Sequence, residues 1–596
     1  MTTIDRPLPS PSASRSEYRS WRSGLAASVI FAGWLLLMLR LVQLQGTQHE
    51  VMLRRVHNQS VFREPVPARP GDILDRHGTV LAATQEVDSI YAVPVEIDDP
   101  LQFAWQVSAV LNLNADDLYK QLLKYRDRQF LWVQRRITDE QSERLRALGL
   151  EKGTWGVRRE YLRQILHPPY AAHVLGLRDI DNNGRGGLEE ALAKQLGGIP
   201  GERVLMRDAR GMIIEVDSDQ SRLPVPGRSV VSSIDLPLQQ ETERQLDLLV
   251  AEWRPQGACA IVMAPETGEI LAMASRPAFD PRQLQNVPEA AWKNLAVAAV
   301  FEPGSTFKPM IVAAALQHGL VQRDEMIDCS YGLYRMGPRL LHDHHPYGLL
   351  STGDVLVKSS NIGMAKIGER LGLDGLFNAA ASFGFGSRTG IELPGELTGI
   401  VQPRKNWNVY SLGSIPMGQE IACTPLQLIT AHAVLANGGR LIRPTLVRRE
   451  TQTNADHPAD QGIPPLHDVE TPLVNAEHAA WLVQKPLRDV ILRGTGKAAR
   501  TPDLEIFGKT GTAQKLDPST GTYSDKAWVV SFVCGAPASN PAALVLVMVD
   551  EPTAPGIHYG GTVAAPTAAR ILTAAIASVT TNQHLRMSTK DINSKQ

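Results

Sequence analysis

Cysteine is scarce in this sequence, which has four in 596 residues: Cys259, Cys329, Cys423 and Cys534. They lie far apart along the chain, and none belongs to a Cys-x-x-Cys pair. A disulfide framework or a thiolate metal site requires several cysteines at close and regular spacing. The sequence therefore predicts neither.

An excess of charge of either sign is also lacking. The 61 Lys and Arg residues balance 62 Asp and Glu residues, and the formal net charge is −1. A nucleic-acid-binding protein carries a basic face, so no nucleic-acid partner is predicted. A hydrophobic content of 43% and a charged content of 21% are typical of globular proteins. The length predicts two or three folded units, and no internal repeat is present.

Long hydrophobic runs are limited to one, near the N-terminus. Residues 24–44 are largely apolar, with Arg40 close to the end of the run. About 20 apolar residues cross a bilayer, and an arginine near one end can reach the headgroups. No small-x-small cleavage site follows, so we predict a retained transmembrane helix at 23–44 after an N-terminal segment, 1–22. Arginines flank the run on both sides and do not by themselves fix its orientation: Arg6, Arg15, Arg19 and Arg22 before it, Arg54 and Arg55 after it.

The first motif with catalytic chemistry is Ser305-Thr306-Phe307-Lys308. Pro303-Gly304 before it and the Ala-rich apolar run to Leu316 after it predict a turn that leads into a buried helix. Ser305 and Lys308 are three residues apart and share one face of that helix. A serine hydroxyl is a poor nucleophile unless a base within hydrogen-bonding reach takes its proton. A buried lysine near other cations has a lowered pKa, so Lys308 is predicted to be that base.

A second motif, Ser359-Ser360-Asn361, follows along the chain. The hydroxyl of Ser359 can relay a proton between Lys308 and an amine that leaves or attacks. The amide of Asn361 can hold substrate and lysine in place. The spacing of this motif is weak support on its own.

A third motif, Lys509-Thr510-Gly511-Thr512, combines positive charge with two hydroxyls that can bind a carboxylate. Its glycine is small enough for a substrate to lie against the backbone. Apolar runs at 528–534 and 543–549 follow, as is typical of buried strands. We therefore predict that the third motif lies on an edge strand that lines a cleft.

The three motifs in this order form the signature of penicillin-binding proteins and class A β-lactamases. Ser-x-x-Lys or Ser-x-Asn alone is expected about once by chance in a chain of this length, whereas the conjunction is specific. Longer stretches resemble the class B penicillin-binding proteins from about Gly24 to about Ile576. These stretches are 301–309, 424–428, 436–439 and 559–561 in the C-terminal part, and 69–76, 187–189 and 208–211 in the N-terminal part.

The resemblance implies an α/β (α+β) fold with one transmembrane helix, an N-terminal pedestal domain and a serine β-lactamase/transpeptidase-like catalytic domain. The catalytic domain is expected to be an antiparallel sheet flanked by helices. We expect the pedestal, of the penicillin-binding protein dimerisation type, at 45–225, the transpeptidase domain at 226–580 and a polar, disordered tail at 581–596. Local patterns also predict a strand at 89–93, helices at 140–148 and 238–250, a hinge at 223–227, and a hairpin formed by 259–263 and 269–274.

The activity that the resemblance implies is that of a peptidoglycan D,D-transpeptidase acting through an acyl-enzyme on Ser305. Its substrate is the acyl-D-Ala-D-Ala end of a stem peptide, β-lactams are its inhibitors, and it needs no metal or organic cofactor. The backbone N–H groups of Ser305 and Thr512 are expected to hold the oxyanion. The implied catalytic residues are Ser305, Lys308, Ser359, Asn361 and Lys509, and the implied substrate-binding residues are Thr510, Gly511 and Thr512.

Within the class, the Ser-Ser-Asn and Tyr-Gly-Gly stretches resemble the division type (FtsI-like), which builds the septal wall. The resemblance implies an inner-membrane protein with a cytoplasmic N-terminus and a periplasmic catalytic domain. Its implied partners are a membrane glycan polymerase of the FtsW type and other division proteins. The alternatives are an elongation- or sporulation-type class B transpeptidase, a membrane-anchored β-lactamase that uses Glu392 or Glu396 to activate water, and a β-lactam receptor or division scaffold.

Three other patterns favour plain structural interpretations. Residues 179–190 satisfy the EF-hand loop pattern, but Gly186 occupies the usual apolar position, and we predict a polar turn. The His-rich stretch 342–345 contains zinc-ligand types, but adjacent residues rarely converge on one ion, and we predict a solvated loop. Residues 494–497 lack the first glycine and the final Ser or Thr of a phosphate-binding loop, so nucleotide binding is not predicted.

Overall fold

A computed structural model describes residues 17–50, 61–207, 213–337, 339–448, 472–517 and 520–593. Their contacts define two compact units. The first comprises the described residues up to Ala68 together with Ile199–Val225, and the second comprises Arg69–Gly198 and the described residues from Pro226 onward. The predicted pedestal range therefore contributes to both units. The stretch at 208–211 and four of the arginines noted above, Arg6, Arg15, Arg54 and Arg55, lie outside the described residues.

The first unit begins with an apolar helix, Glu17–Val42, followed by a short π-helical turn, Gln43–Thr47. Residues 21–46 are long and apolar enough to cross a membrane, and their large apolar side chains are exposed. The predicted span lies within this stretch. The unit also contains a three-stranded antiparallel sheet, in the order Val61–Val66, Gly201–Arg207 and Ile213–Arg222.

The N-terminal part of the second unit is built on one long strand, Val80–Ala92, which contains the predicted strand at 89–93 up to Ala92. This strand pairs antiparallel with Leu131–Ile137 and Trp155–Ile165. Ile73–Leu74 pairs with its first residues and, in parallel, with Val230–Val231. The chain that follows the predicted hinge thus returns to this sheet, which explains why Arg69–Gly198 and the described residues from Pro226 onward belong to one unit.

Helices of this part bury an apolar core against the sheet, with Phe103, Val107, Leu122 and Leu145 almost fully enclosed. The predicted helix at 140–148 is observed as Asp139–Ala147, and a capping box of Thr138 and Gln141 begins it. The remaining elements of this part are Pro100–Leu111, Ala115–Lys124, Ala172–Leu175, Gly187–Ala191, Ala193–Gly197, and the paired strands Leu177–Arg178 and Gly184–Arg185.

The C-terminal part contains a five-stranded antiparallel sheet, as predicted. The hairpin predicted at 259–274 forms two of its strands, and the strands from the end of the chain complete it. Alternate residues of the strand Gly257–Met263 contribute to separate apolar cores on the two faces of the sheet. The strand order is Ile270–Arg276, Gly257–Met263, Ala543–Asp550, Thr522–Ala536 and Phe507–Asp517, so the strand that carries Lys509 is at the edge.

Helices cover both faces of this sheet. Leu236–Trp253, which contains the predicted helix at 238–250, packs on one face with Ala565–Asn593. Two short helices, Lys308–Gln317 and Pro425–Ala436, are buried on the other face. Their residues are almost all apolar because they are enclosed on every side. The other helices of this part are Leu295–Ala298, Thr352–Lys358, Asn361–Ser382, Ser411–Ser414, Ala476–Leu482, Arg488–Leu492 and Gly560–Val563.

Three pairs of short strands lie outside the central sheet. They are Met326–Asp328 with Leu349–Ser351, Leu333–Met336 with Arg339–His342, and Ile400–Val401 with Ile421–Ala422. At the end of the chain, the last helix continues to Asn593, where the sequence predicted a disordered tail from 581.

Candidate active site

Ser305 lies in a tight turn, Gly304–Phe307, just before the buried helix that begins at Lys308. We call this segment the Ser305 turn. Gly304 has a φ of +54°, and a Cβ atom there would lie 3.0 Å from the carbonyl oxygen of Thr512. Glycine is therefore required both for the left-handed backbone and for the close approach of the edge strand. The Gly304 N–H donates to the Gly418 carbonyl at 3.0 Å, which anchors the turn from the other side.

A buried histidine that the sequence did not indicate supports the same turn. His432 Nε2 lies 2.9 Å from the carbonyl oxygen of Thr306, and the Thr306 hydroxyl donates to the Pro303 carbonyl at 2.6 Å. Burial lowers the pKa of His432 to about 4, so the ring is neutral near pH 7 and donates from Nε2. His432 is thus a structural support of the turn.

Lys308 is fully buried, and polar atoms of the second motif surround its amine. Its Nζ donates to Asn361 Oδ1 and to the Ser359 carbonyl oxygen, both at 2.8 Å, and lies 3.3 Å from Ser359 Oγ. Burial lowers the pKa of the amine to about 7, while the negative charge of Asp343 opposes this shift. A substantial fraction of Lys308 is therefore neutral at pH 7, as a general base requires.

Ser359 joins the three motifs. Its hydroxyl donates to Ser305 Oγ at 3.0 Å and accepts from Lys308 Nζ at 3.3 Å and from Lys509 Nζ at 3.0 Å. Among the described residues, the hydrogen bonds of Lys308 Nζ all go to 359–361, and none goes directly to Ser305. The predicted direct contact between base and nucleophile is therefore replaced by a contact through Ser359.

Lys509 projects from the edge strand into the same cluster and is fully buried. Besides Ser359, its Nζ contacts the carbonyl oxygen of Thr510 at 3.3 Å. Burial and repulsion from Lys308 hold the pKa of Lys509 well below its usual value. A positive charge on either lysine therefore disfavours a positive charge on the other.

The other residues of the third motif make contacts along the same strand. The Thr510 and Thr495 hydroxyls are 2.7 Å apart, and Thr512 Oγ1 accepts from the Gly560 N–H at 3.2 Å. At Gly511, an added Cβ would lie 2.4 Å from Ser531 Oγ and 3.0 Å from the Pro303 carbonyl oxygen. The absence of a side chain at Gly511 thus lets the strand pack against the Ser305 turn. Its role in making room for a substrate stays a prediction.

Asp343 belongs to the second motif in space, although the sequence placed it in a solvated loop. Its Oδ1 accepts from the backbone N–H groups of Asn361 at 2.5 Å and Ile362 at 3.1 Å, and its Oδ2 accepts from Ser360 Oγ at 2.5 Å. A carboxylate at a helix N-terminus is favoured by the exposed N–H groups and by the helix dipole. The sequence pattern His-Asp-His-His contains zinc-ligand residue types, and it does not indicate that Asp343 caps a helix. No group of three metal-ligand side chains occurs within the described parts of the chain.

The EF-hand-like stretch forms a turn whose carboxylates already have protein partners. Asp179 accepts from the N–H groups of Asp181 and Asn183 at 2.9 Å and pairs with Arg185, also at 2.9 Å. Glu190 accepts from the Gly186 N–H at 2.7 Å. The oxygens do not converge, in agreement with the predicted polar turn.

The two glutamates considered as water-activating bases are also engaged elsewhere. Glu396 is buried and accepts from the Thr389 N–H at 2.7 Å and from the Gly390 N–H at 3.1 Å. Glu392 accepts from the Leu446 N–H at 2.9 Å and from the Thr445 hydroxyl at 3.1 Å. Both carboxylates hold turns.

Comparison with known protein families gives two matches that cover most of the chain. The penicillin binding protein transpeptidase domain matches residues 258–573, and the penicillin-binding protein dimerisation domain matches residues 65–232. Both matches agree with the resemblance identified in the sequence.

Individual relatives match over nearly the whole chain. Stage V sporulation protein D of Bacillus subtilis is 33% identical over 512 residues, which are 85% of this chain and 78% of that protein. Peptidoglycan D,D-transpeptidase FtsI of Escherichia coli is 30% identical over 560 residues, which are 92% of this chain and 90% of that protein. The crystal structure of penicillin binding protein 3 from Mycobacterium tuberculosis with aztreonam superposes with a TM-score of 0.64 at 27% identity, covering 86% of this chain and 97% of that one. The chain therefore belongs to the class B penicillin-binding proteins, which combine a dimerisation domain with a transpeptidase domain.

Proposed function

We propose that this protein is a peptidoglycan D,D-transpeptidase that cross-links stem peptides through an acyl-enzyme on Ser305. The observation that carries the proposal is the hydrogen-bonded path from Lys308 through Ser359 to Ser305. A hydroxyl linked in this way to a partly neutral amine can lose its proton as it attacks a carbonyl. Relatives named as peptidoglycan D,D-transpeptidases, FtsI and PenA, support the same reaction.

In the first half-reaction, Ser305 Oγ attacks the penultimate D-Ala carbonyl of an acyl-D-Ala-D-Ala end. The Ser305 proton passes to Ser359 while Ser359 gives its own proton to neutral Lys308, since hydroxyl hydrogens turn freely. An ester forms as the peptide C–N bond breaks. The departing D-Ala nitrogen takes a proton from Ser359, which regains one from the Lys308 ammonium, so Ser359 is a hydroxyl and Lys308 is neutral again. The backbone N–H groups of Ser305 and Thr512 hold the oxyanion, a role that the close approach of Gly304 and Thr512 supports.

The substrate carboxylate binds beside Lys509, with the hydroxyls of Thr510 and Thr512 as further donors. A negative charge at this position favours the protonated form of Lys509. Because the two amines repel each other, protonation of Lys509 keeps Lys308 neutral, as a base must be. Asn361 holds the peptide amide and the Lys308 amine.

In the second half-reaction, an amine of a neighbouring stem peptide attacks the ester and forms a 4,3-type cross-link. Ser359 and Lys308 take the proton of the amine and return it to Ser305 as the ester C–O bond breaks. Hydrolysis by a β-lactamase would instead require a base that activates water. The hydrogen bonds of Glu392 and Glu396 to their own turns count against that alternative.

Mass spectrometry of the full-length protein in detergent, after exposure to benzylpenicillin, tests this proposal. We expect one penicilloyl adduct on Ser305 that persists through the time course, and no adduct in Ser305→Ala. Stoichiometric labelling of the Ser305→Ala variant would refute the nucleophile. Rapid loss of the adduct from the wild type would revive the β-lactamase alternative.

The described apolar helix supports a membrane-anchored protein. We further propose a cytoplasmic N-terminal segment, an inner-membrane span at 23–44, and a periplasmic location for the pedestal (45–225) and the transpeptidase domain (226–580). A membrane glycan polymerase of the FtsW type and other division proteins are the proposed partners. Protease protection in intact and permeabilised spheroplasts tests the orientation, because digestion of the catalytic domain only after permeabilisation would contradict it.

The proposed cellular role is septal wall synthesis, with sporulation or elongation as alternatives. The relatives include both FtsI and a sporulation protein, so their names do not distinguish between these cellular roles. Depletion in the host should produce undivided filaments if the role is septal. Rounded cells would indicate elongation, a defect confined to spores would indicate sporulation, and normal division of cells carrying Ser305→Ala would favour a scaffold.

A further inference from the structure

We propose that Asp343 is a positioning residue of the acyl-transfer site, which holds the turn carrying Ser359 and Asn361 and supplies the negative charge that faces Lys308. The inference rests on the proposed transpeptidase function and assigns a role outside its three motifs. It starts from geometry, because one carboxylate is bonded to three consecutive residues, 360–362.

The turn that Asp343 holds has a backbone conformation that needs support. Ser359 has a φ of +58°, in the left-handed region, and ends the helix Thr352–Lys358. The next helix begins two residues later, at Asn361. A non-glycine residue in this region is strained by about 1–2 kcal/mol and persists only where its surroundings fix it. The hydrogen bonds of Asp343 to the start of the second helix provide that fixation.

Asp343 is itself held in place from both directions. The short strand Arg339–His342 leads directly into it and pairs with Leu333–Met336. Its backbone N–H donates to the Gly332 carbonyl at 3.2 Å. On the other side, Ser360 Oγ donates a hydrogen bond to the Asp343 carboxylate and accepts one from the Gly363 N–H at 2.9 Å. A carboxylate anchored in this way can transmit position to its partners.

The position of Asn361 depends on this anchor and in turn affects Lys308. Asn361 donates its backbone N–H to Asp343, and its side-chain Oδ1 accepts from Lys308 Nζ at 2.8 Å. Ser359, one residue before the anchored pair, contacts both Ser305 Oγ and Lys308. Displacement of the turn by a fraction of an ångström would therefore lengthen the proton path.

The charge of Asp343 acts on Lys308 as well. Burial lowers the pKa of Lys308, and the carboxylate of Asp343 opposes that effect. The other titratable group that contacts this cluster is Lys509, whose own pKa is lowered by burial and by the charge of Lys308. Without the carboxylate, Lys308 would lose its proton at lower pH.

The test is the pH profile of acylation by a fluorescent penicillin, measured on the full-length protein in detergent. Acylation requires neutral Lys308 and therefore rises with pH through the pKa of that amine. For Asp343→Asn, which keeps the shape and removes the charge, we expect the midpoint to move down by roughly 0.5–1 pH unit. We expect the plateau rate to fall about 10-fold, because Ser359 and Asn361 are held less well.

A matched control is Asp374→Asn, which removes one charge from the helix whose start Asp343 holds, at a side chain that is 83% exposed and paired with Arg404. It should leave both the midpoint and the plateau unchanged. Asp343→Glu keeps the charge and moves the carboxylate, so it should lower the plateau and keep the midpoint. This variant also tests the positioning if Asp343→Asn does not fold.

Two results would overturn the inference. A lower plateau in Asp343→Asn with the wild-type midpoint would show that the charge does not act on Lys308. A wild-type plateau in Asp343→Glu would show that the carboxylate does not position the turn. Failure of the proposed function is distinguishable from both results, because it would appear as wild-type protein that is not acylated on Ser305 at any pH.

Discussion

The hydroxyl of Ser359 donates to the hydroxyl of Ser305, and the two oxygens are 3.0 Å apart. Both buried lysines also reach Ser359 Oγ, so one side chain connects Ser305 to each amine. A proton that leaves Ser305 can therefore reach Lys308 in two short transfers. Ser359, from the second of the three motifs, is therefore at the centre of the site.

This relationship predicts a large effect of Ser359→Ala. We expect acylation by a fluorescent penicillin to slow by about 10²–10³-fold, because the proton of Ser305 loses its path to Lys308. Ser382→Ala is the matched control, since Ser382 is the last residue of the helix Asn361–Ser382 and its hydroxyl donates to the Asn378 carbonyl of the preceding turn. The control should label at the wild-type rate. A rate for Ser359→Ala within about twofold of wild type would indicate that Lys308 acts on Ser305 directly.

The short-range features of this fold were predictable from the sequence. The hairpin at 259–274 and the strands near 528–549 are apolar runs bounded by turn residues, and the structure confirms them. The position of the third motif on an edge strand is also confirmed. These features depend on residues close together in the chain, where the periodicity of side chains determines the structure.

The features of the site that the sequence did not predict depend on contacts between residues far apart in the chain. Asp343 lies 18 residues from Asn361, and nothing in its neighbourhood indicates that it caps that helix. A direct contact between Lys308 and Ser305 was also predicted, since a separation of three residues suggests a shared helical face. The structure ends the Ser305 turn at Phe307 and begins the regular helix at Lys308, so the two side chains meet through Ser359. The close packing of Gly511 against the Ser305 turn is also a long-range contact, which the sequence of one strand does not indicate.

The buried amine of Lys308 predicts a stability that depends on pH. The pKa of Lys308 is about 7 in the folded protein, and its ordinary value of 10.5 applies to the unfolded chain. Between pH 7 and pH 10.5 the unfolded chain therefore binds more protons than the folded protein does. Stability therefore rises with pH across this window, by up to about 1.4 kcal/mol per pH unit from this group. Lys308→Met removes the dependence. We expect the difference in Tm between wild type and Lys308→Met, measured on full-length protein in detergent, to increase in favour of the wild type from pH 7 to pH 9.

Lys120→Met is the control for this measurement, because the Lys120 side chain is 75% exposed and its nearest carboxylate is 4.0 Å away. The difference in Tm between wild type and this variant should be the same at both pH values. Parallel pH dependence of wild type and Lys308→Met would mean that Lys308 keeps its proton in the folded protein across the window.

A buried ion cluster in the N-terminal part of the second unit predicts a large destabilisation without a catalytic cause. Glu189 pairs with Arg163 and Arg178 at 2.5 Å each, and all three side chains are at most 4% exposed. Glu189→Gln leaves buried Arg178 without this counter-charge and buried Arg163 with the more distant carboxylate of Asp72 at 3.8 Å, which costs about 3–5 kcal/mol. Glu140→Gln is the control, since Glu140 forms an exposed helical pair with Arg144 at 2.6 Å that contributes about 0.5 kcal/mol or less. Thermal unfolding of full-length protein in detergent should show a much lower Tm for Glu189→Gln and a nearly unchanged Tm for Glu140→Gln. Equal Tm values for the two variants would show that the buried carboxylate is not needed to balance the arginines.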